Sequence, residues 1–254
     1  MSLLAITASG LLFLILESLF PYKKQNRIYP GITGDLLLYG GLQSIVIGTI
    51  ISTLGTLLRE KTGLGQASLM SNWSSFSQLL FFLVTHDFIM YWLHRWQHSS
   101  KVLWIFHEAH HSPENLNWIS GIRSHPLEML LLQSLEFLPI YLLGANPEVA
   151  VYKAIIDAII GQWIHSNVRL SIGPLKYIFN SPELHKWHHV DEHHLYHKNF
   201  STKLSIWDAL FGTLSLPNGK AENYGLKAEV RKIYPVNSYW GQVIWPFTRK
   251  RHFK

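Results

Sequence analysis

Fifteen histidines occur in a chain of 254 residues, and eight of them fall into three short boxes. His94-Arg95-Trp96-Gln97-His98 has the spacing HxxxH, while His107-Glu108-Ala109-His110-His111 and His185-Lys186-Trp187-His188-His189 each read HxxHH. On a helix, residues three and four apart share a face, so each box aims its imidazoles at one point. Adjacent members of an HH pair diverge by roughly 100°, from 3.6 residues per turn. One pair can therefore serve two neighbouring ions. Neutral imidazole is a good ligand for iron, zinc, copper and nickel. Eight such ligands are enough to hold two ions and still leave coordination positions open for dioxygen. A single HxxxH is commonplace on a helix surface; three boxes at one membrane face are not, because ionisable groups at membrane depth are functional by default.

The elements that must position these boxes are apolar helices. Apolar residues make up 48% of the chain and charged residues only 15%, against roughly 25% charged in an average soluble protein. Five stretches, at about 3–20, 35–58, 76–93, 126–143 and 147–164, reach or approach the roughly 20 residues a helix needs to cross a hydrocarbon core. The fourth carries Glu128, Gln133, Glu136 and Pro139 and reads equally as a tilted or partly buried helix. The first does not read as a cleavable leader, since no basic region precedes it and Pro21-Tyr22-Lys23-Lys24 follows it like an anchor.

With the N-terminus outside, the positive-inside rule places Lys23, Lys24 and Arg27 inside and returns the chain to that side at Arg95 and His165. All three boxes then share one face; Arg59 and Lys61 count against this orientation. The expected fold is all-α, a multi-pass bundle of about four to five membrane segments within a single domain over 1–254. The net charge of +6 sits in short clusters, Lys23-Lys24 and Arg249-Lys250-Arg251, which suit anionic lipid headgroups better than nucleic acid. The absence of cysteine excludes disulfides, thiolate-ligated haem, cysteine-held iron–sulfur clusters and cysteine nucleophiles.

The chain resembles the fatty acid hydroxylase/sterol desaturase superfamily of membrane di-iron enzymes, whose signature is this HxxxH, HxxHH, HxxHH series. The resemblance covers about residues 80 to 215. It includes Asp87-Phe88 with Tyr91-Trp92-Leu93-His94-Arg95, Trp104-Ile105-Phe106-His107 through His111-Ser112, and Arg123-Ser124-His125-Pro126-Leu127-Glu128. It continues through Trp163-Ile164-His165-Ser166-Asn167-Val168, Asn199-Phe200 and Trp207-Asp208-Ala209-Leu210-Phe211-Gly212-Thr213. Its 163–168 and 199–200 segments are similar to bacterial and alkylglycerol-monooxygenase-like branches. The resemblance implies a histidine-rich cytosolic cap over the membrane helices, holding two iron ions for which zinc can substitute on purification. It further implies hydroxylation or desaturation of a lipid-like substrate, whether fatty acyl, sterol, ether lipid or isoprenoid. Dioxygen and a separate electron donor of cytochrome b5, ferredoxin or rubredoxin type would be needed. A bacterial inner membrane is the expected location, with the boxes on the cytosolic face.

The resemblance also implies a ninth ligand at His165. Asp87, His125 and Asn199 are candidates to stand behind the ligands. Asp87 shares a helical face with Tyr91, His94 and His98 and could orient a ligand or form an interfacial ion pair, while His125 precedes a proline suited to a helix start. His86 lies roughly 12 Å from His94 along the helix axis, at about 1.5 Å per residue, and reads as packing or channel lining. His193, His194 and His197 read as solvated loop residues, with His194 or His197 a possible extra ligand. Trp92, Trp96, Trp104 and Trp118 read as interfacial anchors.

Two other readings stand beside the oxygenase. His107-Glu108-Ala109-His110-His111 also satisfies HExxH, in which Glu108 would be the general base of a zinc protease. That mechanism leaves most of the histidines unused. A metal transporter or sensor would place its ligands near the bilayer midplane on broken helices, whereas these boxes fall at helix ends.

Overall fold

The computed structural model describes residues 2–63 and 69–249. Among the described residues no strand forms, and extended pairing is confined to isolated bridges of Pro21 with Val168 and Val190 with Tyr224. Helix α1 covers Ser2–Leu19, α2 Gly34–Thr62 (π-helical over Gly34–Gln43), α3 Ser75–Ser99 and α4 Lys101–His111. Then come α5 Pro126–Leu142, α6 Pro147–His165 and α7 Pro182–His188. Three short helices, α8 Ile206–Leu210, α9 Ala228–Arg231 and α10 Tyr239–Thr248, complete the order.

Local chemistry sets the boundaries that matter for the boxes. Ser100 ends α3 by leaving helical geometry at ψ 120, and its hydroxyl accepts from Leu103 N at 3.4 Å to open α4. One serine thus turns the chain between the first and second boxes. Pro126 and Pro182 sit in the first turns of α5 and α7, where a missing N–H costs nothing. His125 caps α5: its Nδ1 accepts from Leu127 N at 3.2 Å, and the Glu128 carboxylate accepts from His125 N at 3.3 Å.

Helices α2 and α3 are long and apolar enough to cross a membrane, and the apolar part of α1, Leu4–Leu19, is shorter. Their outer faces show large apolar side chains, among them Leu11, Ile15, Leu37, Ile45, Phe76 and Leu80. Among the described residues, then, two helices rather than four or five are long and apolar enough to cross a membrane by themselves. Helix α5 falls short by length, at 17 residues, and α6 by its charged residues Glu148, Lys153 and Asp157, of which Lys153 pairs with Glu136 of α5. Lys153, fully buried, lies 3.1 Å from Glu136 and 2.5 Å from Asp157. Lys203 reaches the same cluster, 3.7 Å from Glu136, 3.2 Å from Asp157 and 4.0 Å from Asp87. Pairing of this kind is what lets ionised groups sit inside a bundle.

Helix α1 lies on α6, with Ser9 donating to Gln162 at 2.7 Å. Helix α2 lies on α5 so closely that a Cβ on Gly55 would stand 2.6 Å from the Tyr141 ring, so only glycine permits the approach. A buried fork joins α2 to the loop before α5, with Arg123 donating to both Asp35 oxygens at 2.7 and 2.9 Å. Of the Arg249-Lys250-Arg251 cluster, Lys250 and Arg251 lie outside the described residues.

Candidate metal centre

Helix α3 carries His94 and His98, α4 carries His107, His110 and His111, and α6 ends on His165. Helix α7 carries His185 and His188, and His189 follows it. The nine converge in two groups. His94, His98, His107, His111 and His188 place one ligand atom each within 4.8 Å of one another, and His110, His165, His185 and His189 do the same. Each HH pair is divided between the groups, as the roughly 100° step along a helix requires. The groups adjoin, with the His111 and His189 ring centroids 4.4 Å apart.

Hydrogen bonds on the far side of the rings define which nitrogen faces the centre. The Nδ1 atoms of His94, His98 and His188 lie 2.7, 3.1 and 2.9 Å from the carbonyl oxygens of Phe200, Tyr196 and Lys198. Those of His110 and His165 lie 3.2 and 2.8 Å from the carbonyl oxygens of Arg123 and Gly161. A carbonyl only accepts, so each Nδ1 carries the proton and each Nε2 keeps a lone pair. His107 donates likewise to Glu128 at 2.6 Å.

The Nε2 atoms of His94, His107 and His188 are buried without a protein partner. Others face each other: His98 and His111 at 3.1 Å, His110 and His165 at 3.3 Å, His165 and His185 at 2.9 Å, and His185 and His189 at 3.1 Å. Lone pairs so close repel unless a cation or proton stands between them. Two nitrogens bound to one ion at about 2.1 Å, at angles of roughly 90–109°, would lie about 3.0–3.4 Å apart. The donor set and its spacing fit transition-metal ions. Burial supports the same state: it holds His110 down to about 3 and His111, His185, His188 and His189 well below the ordinary histidine range. All are therefore neutral, the ligating form, near pH 7.

Behind the rings lies a residue that sequence reasoning passed over. Glu128 entered as a charge weakening the fourth apolar stretch and as the end of the Arg123–Glu128 segment, with no role given to it, yet its buried carboxylate takes His107 Nδ1–H at 2.6 Å, Gln97 at 2.5 Å and the Ser124 hydroxyl at 3.0 Å. A carboxylate too costly for an apolar segment was the signal that could have found it. Gly121 is the other: a Cβ there would stand 2.5 Å from His165 Nδ1.

The three residues expected behind the ligands are placed differently. Asp87 contacts no histidine. It accepts from Thr202 Oγ1, Lys203 N, Leu204 N and Trp207 Nε1 at 2.7–2.9 Å, and so clamps the loop that presents the Phe200 carbonyl to His94. Asn199, at φ 57, donates to the Leu184 and Ser215 carbonyls at 3.1 and 2.7 Å and touches no ligand ring. His125 caps α5, and its Nε2 lies 2.9 Å from the Val243 carbonyl. His86 is buried against Phe82, ring centroids 5.0 Å apart, and joins neither group. His193, His194 and His197 are exposed and likewise join neither. Trp92 and Trp96 are exposed as interfacial anchors would be. Trp104 instead packs 4.9 Å from His98 and 5.1 Å from His111, and the Trp118 ring lies against Gly10.

Glu108 decides against the protease geometry. Its fully buried carboxylate points to α10, accepting from Trp245 Nε1 at 2.6 Å and Arg249 Nη2 at 2.8 Å, away from where a zinc-bound water would need a base.

An all-helical protein with outward-facing apolar helices and a buried histidine cluster able to bind metal defines a class, the histidine-rich enzymes of membranes. The model of the fatty acid hydroxylase family matches residues 79–213. An ornithine lipid hydroxylase of Rhizobium tropici is 32% identical over 93% of this chain and 72% of its own length. The alkylglycerol monooxygenase of Homo sapiens is 33% identical over 59% of this chain and 33% of its own length. Methylsterol monooxygenase 1 of Rattus norvegicus is 27% identical over 51% of this chain and 44% of its own length. No solved structure matches the chain. The chain belongs to the fatty acid hydroxylase family and is an oxidoreductase acting on lipids.

Proposed function

We propose that this protein is a membrane-bound di-iron oxygenase that hydroxylates or desaturates a C–H bond of a lipid. The observation that carries the reading is the pair of adjoining histidine groups whose inward Nε2 atoms are neutral, buried and, at His94, His107 and His188, without a protein partner. His94, His98, His107, His111 and His188 would hold one iron, and His110, His165, His185 and His189 the other. When bound, the ions supply the activation of dioxygen. Hydroxylation requires one C–H, one dioxygen, two electrons and two protons, giving an alcohol and one water; desaturation requires two C–H bonds on adjacent carbons with the same dioxygen, electrons and protons, giving an alkene and two waters.

The chain's own residues do the rest. Glu128 and the backbone carbonyls hold the imidazoles in one tautomer, and burial of the rings keeps them neutral. Between α3, α4 and α5 a recess of about 160 Å³ with Leu93, Trp96, Phe106, Leu127 and Leu131 in its walls ends at Gln97 and Glu128. It offers an apolar chain a place beside the histidines. The electrons come from a separate small carrier of cytochrome b5, ferredoxin or rubredoxin type. The long match to an ornithine lipid hydroxylase favours an acyl chain of a polar membrane lipid over a sterol, and a bacterial inner membrane as the site of action. The chain acts as one domain with its boxes on the cytosolic side of four to five crossings. Lipid profiles of cells with the intact gene and with His188→Ala test this reading: a lipid differing by one oxygen or two hydrogens should appear only with the intact gene. Identical profiles, with dioxygen consumption also identical, would sink it.

A further inference from the structure

The two histidine groups differ in how they meet solvent. A cavity of about 200 Å³ opens between the end of α3, the start of α4 and the 190–197 and 225–227 loops. Its inner wall is His98, His111 and His188, all of the five-histidine group, and its rim includes Ser99, Lys101 and His197. Ser99, Lys101 and His197 are exposed. The cavity touches none of His110, His165, His185 or His189. The recess beside Glu128 touches none of them either. Burial alone does not separate the groups, His111 and His188 being 3% and 2% exposed and His165, His185 and His189 4%, 1% and 1%; the cavity does. His110, the least buried of the four, turns its Nε2 inward to within 3.3 Å of His165 Nε2.

The rim residue His197 has no role in the fold that its contacts reveal. Among the described residues its ring takes part in no hydrogen bond or ion pair, whereas its neighbour Asp191 is engaged by Tyr196 OH at 2.6 Å and Arg231 Nη2 at 3.1 Å. A free imidazole at the mouth of a cavity that ends on three ligand imidazoles is a ligand met on the way in.

We propose that the two metal positions are unequal in access: the five-histidine position exchanges its ion with solvent through this cavity, with His197 as a transient ligand at the mouth, while the four-histidine position is sealed. Release from the sealed group needs a local opening of packed structure, whereas the cavity is already open. The inference rests on the two-metal reading above and extends it to how the metals arrive.

The test uses the full chain in lipid nanodiscs, loaded anaerobically with iron(II) and challenged with a water-soluble iron(II) chelator while released and retained iron are counted. Two equivalents per chain should leave in two phases separated by at least about tenfold, equivalent to ~1.4 kcal/mol of opening free energy. Because the chain has no cysteine, Ser99→Cys carrying a bulky maleimide places a plug at the mouth. The plug should slow the fast phase and leave the slow one unchanged, which also reports an intact fold. His197→Ala should slow reuptake of the fast equivalent alone. Two equivalents leaving at one rate would overturn the inequality, a fast phase indifferent to the plug would overturn the route, and wild-type reuptake in His197→Ala would remove that residue from it. Binding of fewer than two equivalents would count instead against the two-metal reading itself.

Discussion

Replacing Glu128 by glutamine changes the centre without touching a ligand. The carboxylate is 4% exposed and receives four donors: His107 Nδ1 at 2.6 Å, Gln97 Nε2 at 2.5 Å, Ser124 Oγ at 3.0 Å and His125 N at 3.3 Å. A glutamine of the same shape has one acceptor and one donor group. If its oxygen stays toward His107, its NH₂ meets the His125 N–H; if it turns round, its NH₂ meets the His107 Nδ1–H and the Gln97 amide. Either way a buried donor loses its acceptor, a cost of about 1–3 kcal/mol. The second arrangement also favours the wrong His107 tautomer, with the proton on the nitrogen that should bind metal. Loss of a partner behind a ligating histidine typically weakens metal binding by about 10–100-fold, or ~1.4–2.7 kcal/mol. Chelator competition on purified Glu128→Gln should therefore show one equivalent of iron weakened by that factor and the other close to wild type. Wild-type affinity for both equivalents would refute the role given to Glu128, and equal weakening of both would refute the assignment of His107 to one group.

Three further outcomes are expected. His110→Ala and His188→Ala, one from each group, should each abolish lipid oxidation and lower bound iron, and full turnover by either would refute the two-metal assignment. Glu108→Gln should retain metal and oxygen-dependent turnover while loosening α10, because it unsettles the bonds to Trp245 and Arg249 at a cost of about 1–3 kcal/mol; oxygen-independent peptide cleavage that vanishes in this variant would restore the protease reading. Finally, burial holds His110 near 3 while the unfolded chain titrates at the ordinary value of about 6.5. The unfolded state of the metal-free protein thus binds more protons between these values, so its stability should be full above about 6.5 and fall as pH drops toward 3. Melting followed across that range should show the decline, and a flat profile would contradict the buried neutral state.

The local sequence was enough for the family of lipid-oxidising enzymes and for an all-helical fold. HxxxH and HxxHH are short-range patterns, and helical geometry alone makes each box converge and each HH pair diverge. Apolar runs and the proline that opens α5 are equally local, so the long helices α1, α2, α3, α5 and α6 could be read directly. Distance in space could not. Asp87 shares a helix face with His94, yet its carboxylate turns to the 202–207 segment, because four donors there outbid one imidazole already held by a carbonyl. Glu128 and His107 lie on different helices, and only the turn at Ser112–His125 brings them together. Glu136 of α5 looked like a fault in a membrane span until packing paired it with Lys153 and Lys203. The division of nine histidines into five and four, with a cavity reaching His98, His111 and His188 of the first group, follows from how α3, α4, α6 and α7 dock. Burial and partner choice are properties of that docking, because the energy of a buried polar group depends on the one neighbour that completes its hydrogen bond.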